Sequence, residues 1–173
     1  MRLRDEVREG DRQAVRRLVA STGFFTAEEQ DIAVELVEEA LNEGETAGYQ
    51  FIFADADAPA VANGARSADA LLGYACFGPI PSRPGGYDLY WIAVAPSAQR
   101  HGMGKGLIEE VQRRALVQGA SDMFIDTSGR DQYQPTRAFY ERMGYSRYEV
   151  VPDFYAPGDD KVVYRKQLRS ITA

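Results

Sequence analysis

A strand that leads through a glycine loop directly into a helix is the feature that most restricts how this chain can fold. Aromatic and branched residues alternate from Tyr87 to Val94, which predicts a strand, and Pro96 ends it. Apolar residues then recur at helical spacing at Leu107, Ile108, Val111 and Ala115. The helix therefore begins at the glycines between these elements, where its free N–H groups and its dipole favour an anion.

The glycine loop, Gln99-Arg-His-Gly-Met-Gly-Lys105, differs from two common phosphate-binding motifs. It does not fit G-x-x-x-x-G-K-[ST], and it lacks the third glycine of the dinucleotide pattern G-x-G-x-x-G. Gly102 and Gly104 have no Cβ, so the backbone can approach phosphate oxygens closely. The loop is therefore predicted to bind a phosphate-bearing ligand of another kind.

Two segments carry a resemblance to a known family. Gln99-Arg-His-Gly-Met-Gly104 resembles the Q/R-x-x-G-x-G/A motif with which GCN5-related N-acetyltransferases (GNAT) hold the pyrophosphate of acetyl-coenzyme A. Pro135-Thr-Arg-Ala-Phe-Tyr-Glu-Arg-Met-Gly-Tyr145 is similar to a later helix of that family. The resemblance covers nearly the whole chain. It implies an α/β fold with a single mixed, mostly antiparallel sheet of about seven strands, splayed fourth and fifth strands, and about four helices.

The remaining sequence predicts the order β-α-α-β-β-β-α-β-α-β-β. The second helix opens with a capping box at Thr26-Ala-Glu-Glu29, and its predicted buried face comprises Ile32, Leu36, Val37, Ala40 and Leu41. The helix that Gly144 ends is predicted to turn Ala138, Phe139 and Met143 inward. Residues 55–69 are rich in alanine and aspartate and are predicted to form a mobile hairpin loop.

Length and composition limit the class of protein. With 173 residues and no sign of a linker, the chain is expected to form one domain spanning residues 1–173. The absence of a signal peptide or a membrane-spanning apolar run, together with a single cysteine, Cys76, predicts a cytoplasmic protein with no membrane partner. A net charge of −6 argues against nucleic-acid binding and weakly favours cationic partners.

The resemblance implies acetyl-coenzyme A as the acetyl donor and no metal. Main-chain groups of Ile92 and Val94 are expected to bind its pantetheine arm. The residues expected at its pyrophosphate are Gln99, Arg100, His101, Gly102, Met103, Gly104 and Lys105. Tyr133 is assigned to the pantetheine arm as well, although it departs from the family pattern, which has asparagine there.

Transfer of an acetyl group to an amine needs a base and an acid, because an alkylammonium with a pKa of about 10 must lose a proton and the leaving thiolate must gain one. By resemblance Asp88 lies where several relatives carry a catalytic glutamate, with Tyr90 on the same strand face as a rival that holds water. Tyr140 matches the tyrosine that protonates the thiolate. The alternatives are a solvated strand carboxylate and a core tyrosine.

The acceptor site is predicted to include Phe25, Tyr90 and Tyr155. The segment Asp153-Phe-Tyr-Ala-Pro-Gly-Asp-Asp160 resembles a hairpin that N-terminal peptide acetyltransferases use, although a plain turn has similar composition. The sequence therefore predicts an N-acetyltransferase acting on a primary amine in a ternary complex. A protein N-terminal or lysine acetyltransferase and a non-catalytic acyl-coenzyme A sensor stay open, as do a longer acyl donor and a homodimer.

Overall fold

The structure is a computed structural model that describes residues 2–57 and 71–168. The chain divides into two compact units, one formed by Met1–Phe77 with Trp91–Val111 and the other by Gly78–Tyr90 with Gln112–Ala173. Most of the predicted mobile loop, beyond Asp57, lies outside the described residues. None of the helices in the described part of the chain is both long and apolar enough to cross a membrane.

The elements follow the predicted order, which is confirmed. The strands are β1 (Arg2–Arg4), β2 (Gln50–Asp55), β3 (Leu71–Pro79), β4 (Gly86–Val94), β5 (Asp122–Ser128), β6 (Ser146–Ala156) and β7 (Asp159–Gln167). The helices are α1 (Asp11–Ser21), α2 (Ala27–Glu43), α3 (Met103–Val117) and α4 (Gln134–Arg142). Short 3-10 turns lie at Gly44–Ala47, Pro96–Ala98 and Asp131–Tyr133.

The seven strands form one sheet in the order β1-β2-β3-β4-β5-β7-β6. The pairs β1–β2, β2–β3, β5–β7 and β6–β7 are antiparallel, whereas β4 and β5 are parallel. The parallel pairing joins Gly86–Asp88 to Asp122–Phe124, and both strands then continue, to Val94 and Ser128. The expected mixed sheet with splayed fourth and fifth strands is thereby confirmed.

The first unit packs α1 and α2 against its strands. Thr26 caps α2 as predicted, since its hydroxyl accepts from the Glu29 amide and the Glu29 carboxylate accepts from the Thr26 amide. The predicted buried face of α2 is wrong in one position, because Ile32 is 48% exposed while Ala33 and Val34 are buried. The core of this unit comprises Val15, Leu18, Val19, Ala33, Val37, Ala40, Phe51, Phe53, Tyr74, Cys76 and Ala93.

The second unit buries one face of β5 and β7 together with a tyrosine of α4. Met123, Ile125 and Tyr164 are fully or almost fully buried. In α4 the prediction that Ala138, Phe139 and Met143 form the inward face is wrong, because these three are half-buried and Tyr140 is the buried residue. A tyrosine can fill this place because its ring is apolar and its hydroxyl is its single polar atom.

Candidate active site

The loop between β4 and α3 has the backbone that its glycines predict. Arg100 and Gly102 both have positive φ, at 64° and 80°, and α3 begins at Met103. The Gly106 amide donates to the Gly102 carbonyl at 2.9 Å, which closes the first turn of the helix. The preceding N–H groups of the turn have no acceptor within a helix, so they are available to a ligand.

The side chain of Gln99 ties this loop to the strand that precedes it. Its Nε2 donates to the main-chain oxygen of Val94 at 3.0 Å. The Ala95 amide in turn donates to the Leu72 carbonyl at 2.8 Å, which fixes the end of β4 to β3. Gln99 is exposed, and this hydrogen bond supports the loop; its contact with the cofactor stays a prediction.

The loop meets the requirements for a phosphate site. A Cβ built on Gly102 would meet no atom within 4 Å, so the space in front of this residue is open. The first turn of α3 contains no acidic residue that would repel an anion. Arg100 and Lys105 are exposed, and Lys105 lies 3.8 Å from the Glu109 carboxylate. Backbone donors, the helix dipole and two cationic residues therefore lie at the exposed start of α3.

Close packing fixes the start of α3 on the sheet of the first unit. A Cβ on Gly73 would lie 3.0 Å from Met103 Sδ, 3.1 Å from the Ala93 oxygen and 3.2 Å from Leu107 Cδ1. Any larger residue at this position would force Met103, Leu107 or the Ala93 carbonyl to shift. Gly73, which the sequence did not single out, therefore lets the start of α3 pack closely on β3.

His101 is exposed in the loop and lines a cavity of about 510 Å³ within the first unit. The other lining residues are Leu3, Ala54, Leu72, Ser97, Ala98, Gly102, Met103, Gly106 and Leu107. No carboxylate is among them. His101 remains predicted as a member of the phosphate loop.

Phe25 contributes to an aromatic pair in the first unit. Its ring lies 5.0 Å from the ring of Trp91 on β4, centroid to centroid. Phe25 is half-buried against the core, whereas its neighbour Phe24 is 43% exposed. The ring of Phe25 is therefore fixed beside β4, and its role in the acceptor site stays a prediction.

Asp88, in the second unit, is a carboxyl group whose surroundings raise its pKa. Its side chain is half-buried on β4, and burial together with the charge of Asp126 raises its pKa to about 6, against the opposing effect of Lys161 and Arg83. A carboxyl group with this pKa is mostly ionised at pH 7 and is a stronger base than an ordinary aspartate. Tyr90, two residues further along the strand, is 36% exposed.

Tyr140 lies in a cluster of aromatic rings. Its centroid is 6.0 Å from that of Tyr164 and 6.3 Å from that of Tyr145, and it is 5% exposed. Burial, with a smaller contribution from Tyr145, raises the pKa of Tyr140 above its ordinary value. The phenol therefore stays protonated throughout the neutral range, as a proton donor must. Tyr145 is fixed by Gln112 at 2.9 Å, and Tyr164 by Glu141 at 3.0 Å.

Tyr133 ends the 3-10 turn between β5 and α4. It is 9% exposed, and the Arg130 guanidinium lies 5.9 Å from its ring centroid. Arg137 ties this connection together, because its Nη1 donates to the main-chain oxygens of Ser128 and Arg130 at 2.7 and 2.9 Å. Two hydrogen bonds thus hold the connection that carries Tyr133, and residue 133 is a tyrosine where the family pattern has asparagine.

The hairpin between β6 and β7 presents two aromatic rings. The register of β6 against β7 shifts between Val151 and Ala156, so the intervening residues leave the regular ladder. Phe154 and Tyr155 in this segment are 53% and 48% exposed, and their rings are 5.0 Å apart. Asp153 has a positive φ of 52°, and its carboxylate accepts from the Gly158 amide at 2.6 Å.

Sequence reasoning missed two charged residues near Asp88, namely Asp126 on β5 and Lys161 on β7. The Lys161 ammonium lies 3.5 Å from Asp126 Oδ2. These residues are far apart in the chain, so only the strand register reveals their proximity.

Within the described part of the chain, no group of three or more His, Cys, Asp or Glu residues is arranged to hold a metal ion.

Comparison with known proteins identifies similar chains. The acetyltransferase (GNAT) family matches residues 30–145. No curated protein sequence matches the chain. A crystal structure of a protein assigned to the GNAT acetyltransferases, from Desulfovibrio desulfuricans, is 46% identical, with a TM-score of 0.88; the match covers 97% of this chain and 99% of that one.

More distant solved structures share the fold. An aminoglycoside 6'-N-acetyltransferase complexed with coenzyme A is 19% identical, with a TM-score of 0.72 and 98% of each chain covered. The ribosomal-protein-S18-alanine N-acetyltransferase from Escherichia coli is 18% identical, with a TM-score of 0.69, and the match covers 96% of this chain and 93% of that one. At this identity the likeness concerns the fold alone.

Proposed function

Because this chain belongs to the acetyltransferase (GNAT) family, we propose that it transfers an acetyl group from acetyl-coenzyme A to a primary amine by direct attack in a ternary complex. The observation that carries the amine assignment is the half-buried carboxylate of Asp88, whose pKa of about 6 suits it to accept a proton at neutral pH. Cys76 is buried, and burial raises the pKa of its thiol, so it does not serve as a nucleophile.

The donor is held by the loop and by the strand before it. Amides at Gly102 and the first turn of α3, with Arg100 and Lys105, bind the pyrophosphate. Further contacts are assigned to His101, Gly104 and Tyr133, and to main-chain groups of Ile92 and Val94 at the pantetheine arm. The thioester supplies an activated acetyl group whose leaving group is a thiolate.

Proton transfer is divided between two side chains of the second unit. Asp88 takes a proton from the acceptor's ammonium group, directly or through a water that Tyr90 helps to hold. Tyr140, whose raised pKa keeps it protonated, donates a hydrogen bond or a proton to the departing sulfur. The main-chain N–H near Val94 is the donor assigned to the carbonyl oxygen of the acetyl group.

The acceptor is an amine of small-molecule or peptide origin. The exposed rings of Phe154 and Tyr155 on a hairpin with a fixed turn favour the peptide alternative, because such rings can pack against an extended chain. Phe25 and Tyr90 complete the residues assigned to acceptor binding. The names of two similar structures mention an aminoglycoside and an alanine of ribosomal protein S18, and these define the two classes to test first.

The deciding experiment measures release of free thiol from acetyl-coenzyme A in the presence of a panel of aminoglycosides, diamines and short peptides with free N-termini. An N-acetyltransferase releases one thiol for each acetylated amine, and mass spectrometry identifies the product. Binding of acetyl-coenzyme A without thiol release for any amine would instead support a sensor. Reactions without an amine correct for hydrolysis, and propionyl- and butyryl-coenzyme A test the length of the acyl group.

A further inference from the structure

Three strands, β4, β5 and β7, bring the charged side chains of Asp88, Asp126 and Lys161 to one face of the sheet. Asp88 lies opposite Phe124 in the parallel pairing of β4 with β5. Side chains alternate along a strand, so Asp126, two residues after Phe124, is on the same face as Asp88. The two carboxylates therefore face the same region of the molecule, and the charge of Asp126 disfavours the ionised form of Asp88.

Lys161 lies on β7, and its positive charge opposes the effect of Asp126 on Asp88. Two contacts hold its ammonium group. Nζ lies 3.5 Å from Asp126 Oδ2 and 4.1 Å from the centroid of the Phe154 ring, a distance suited to a cation–π contact. The Lys161 side chain is 20% exposed, so much of its charge is shielded from water. Asp160, the residue before it, accepts from the Asp153 amide at 3.0 Å and fixes the hairpin that carries Phe154.

Arg83, in the turn before β4, is the other cation that faces Asp88. Its guanidinium lies 4.5 Å from the ring centroid of Phe124 and 5.8 Å from that of Tyr148. Burial and Asp126 thus favour the protonated form of Asp88, and Lys161 and Arg83 favour the ionised form. Arg83 is stacked on aromatic rings, whereas Lys161 forms an ion pair with Asp126. Lys161 is therefore the cation best placed to offset the negative charge of Asp126.

We propose that Lys161 and Asp126 are positioning residues that act on acetyl transfer through the carboxylate of Asp88. This inference rests on the proposed function, in which Asp88 is the base. Lys161 keeps Asp88 ionised at neutral pH by neutralising Asp126, and Asp126 holds the Lys161 ammonium in place. The β6–β7 hairpin also contributes to this arrangement, because the ring of Phe154 contacts the other side of the Lys161 ammonium.

The experiment compares Lys161→Met, Asp126→Asn and Lys161→Arg with the wild type in two measurements between pH 4.5 and 8. The first is kcat/KM for the best acceptor. The second is direct titration of the Asp88 carboxyl carbon by NMR, assigned with Asp88→Asn. Arg142→Met, which removes one exposed positive charge from the end of α4, is the matched control.

The expected result is a rise in the pKa of Asp88 in Lys161→Met and a fall in Asp126→Asn, with the acidic limb of kcat/KM moving the same way. At pH 5.5 kcat/KM should fall by roughly threefold in Lys161→Met, since loss of a nearby opposite charge favours the protonated acid. Lys161→Arg should restore the wild-type profile. Arg142→Met should match the wild type throughout.

An Asp88 titration that is the same in wild type, Lys161→Met and Asp126→Asn would overturn the inference. So would shifts in pKa that Arg142→Met reproduces, because they would reflect net charge alone. The proposed function fails separately, through absence of thiol release in the wild type or through an Asp88→Asn variant with an unchanged acidic limb. If the NMR pKa moves while the kinetic limb does not, Asp88 is not the base and the positioning role is refuted.

Discussion

The guanidinium of Arg4 lies 2.6 Å, Nη2 to Oδ1, from the carboxylate of Asp11, and both residues are buried. Arg4 Nε also lies 2.7 Å from Asp55 Oδ2, and its guanidinium stands 4.2 Å from the Phe53 ring centroid. One arginine thus joins β1, α1 and β2 and forms an ion pair with each of two buried carboxylates. Removing it would leave both of them buried without a counter-charge.

Replacement of Arg4 should therefore destabilise the first unit strongly. We expect Arg4→Met to lower the free energy of unfolding by roughly 3–5 kcal/mol, the range for breaking a buried ion pair on one side. Urea unfolding followed by circular dichroism measures this loss. Arg8→Met is the control, because the Arg8 pair with Glu6 at 3.0 Å is exposed and should contribute less than about 1 kcal/mol. Equal losses in the two variants would contradict the assignment.

Gly102→Val should abolish tight binding of acetyl-coenzyme A while the protein stays folded. The new Cβ meets no protein atom but enters the space in front of the loop, and valine strongly disfavours a φ of 80°. We expect the dissociation constant from calorimetry to rise by at least about tenfold, which corresponds to about 1.4 kcal/mol. Gly106→Ala, inside α3 and with open space at its Cβ, should keep the wild-type affinity. Unchanged affinity in a folded Gly102→Val would move the phosphate site elsewhere.

Tyr140→Phe should lower kcat by roughly 10²-fold, the lower end for general acid catalysis, and leave the affinity for acetyl-coenzyme A unchanged. The ring stays, so packing against Tyr164 is retained. Tyr145→Phe provides the control, since it removes a hydroxyl from the same aromatic cluster and loses only the Gln112 hydrogen bond. A kcat within twofold of wild type for Tyr140→Phe would make water the acid.

Asp88→Asn should reduce kcat/KM most between about pH 6 and about pH 10. Below a pKa of about 6 the wild-type carboxyl is itself protonated, and near pH 10 the acceptor loses its proton without help. If Asp88 only attracts a cationic acceptor, KM rises and kcat is unchanged. Superimposed pH profiles in both kcat and KM would exclude Asp88 and point to Tyr90.

The same variant has a stability signature that does not depend on activity. The pKa of Asp88 is about 6 in the folded protein and about 3.9 in an unfolded chain, so the folded state holds the proton more tightly. Wild-type stability is therefore lost as the pH rises from about 4 to above 6. Asparagine does not ionise, so Asp88→Asn does not lose this stability as the pH rises. The Tm of Asp88→Asn minus that of the wild type should therefore increase between pH 4 and pH 8.

Local sequence patterns predicted the helices, strands and loops well. They did not predict contacts between residues that are distant in the chain. The capping box at Thr26 and the glycine loop before α3 depend on neighbouring residues, and both were placed correctly. The rotation of α2 and α4 was less accurate, because apolar spacing does not decide between adjacent residues such as Ile32 and Ala33. The contact of Asp126 with Lys161 depends on the register of β5 against β7, which no local pattern encodes.

The register shifts of β6 have a consequence for how the protein behaves at high concentration. β6 is one of the two edge strands of the sheet, and edge strands offer unpaired amides and carbonyls to other chains. Two irregularities in its pairing with β7, after Arg147 and after Val151, interrupt the regular strand, and Pro152 has no amide hydrogen to donate. The outer edge of the sheet is therefore a poor template for the growth of intermolecular β-structure.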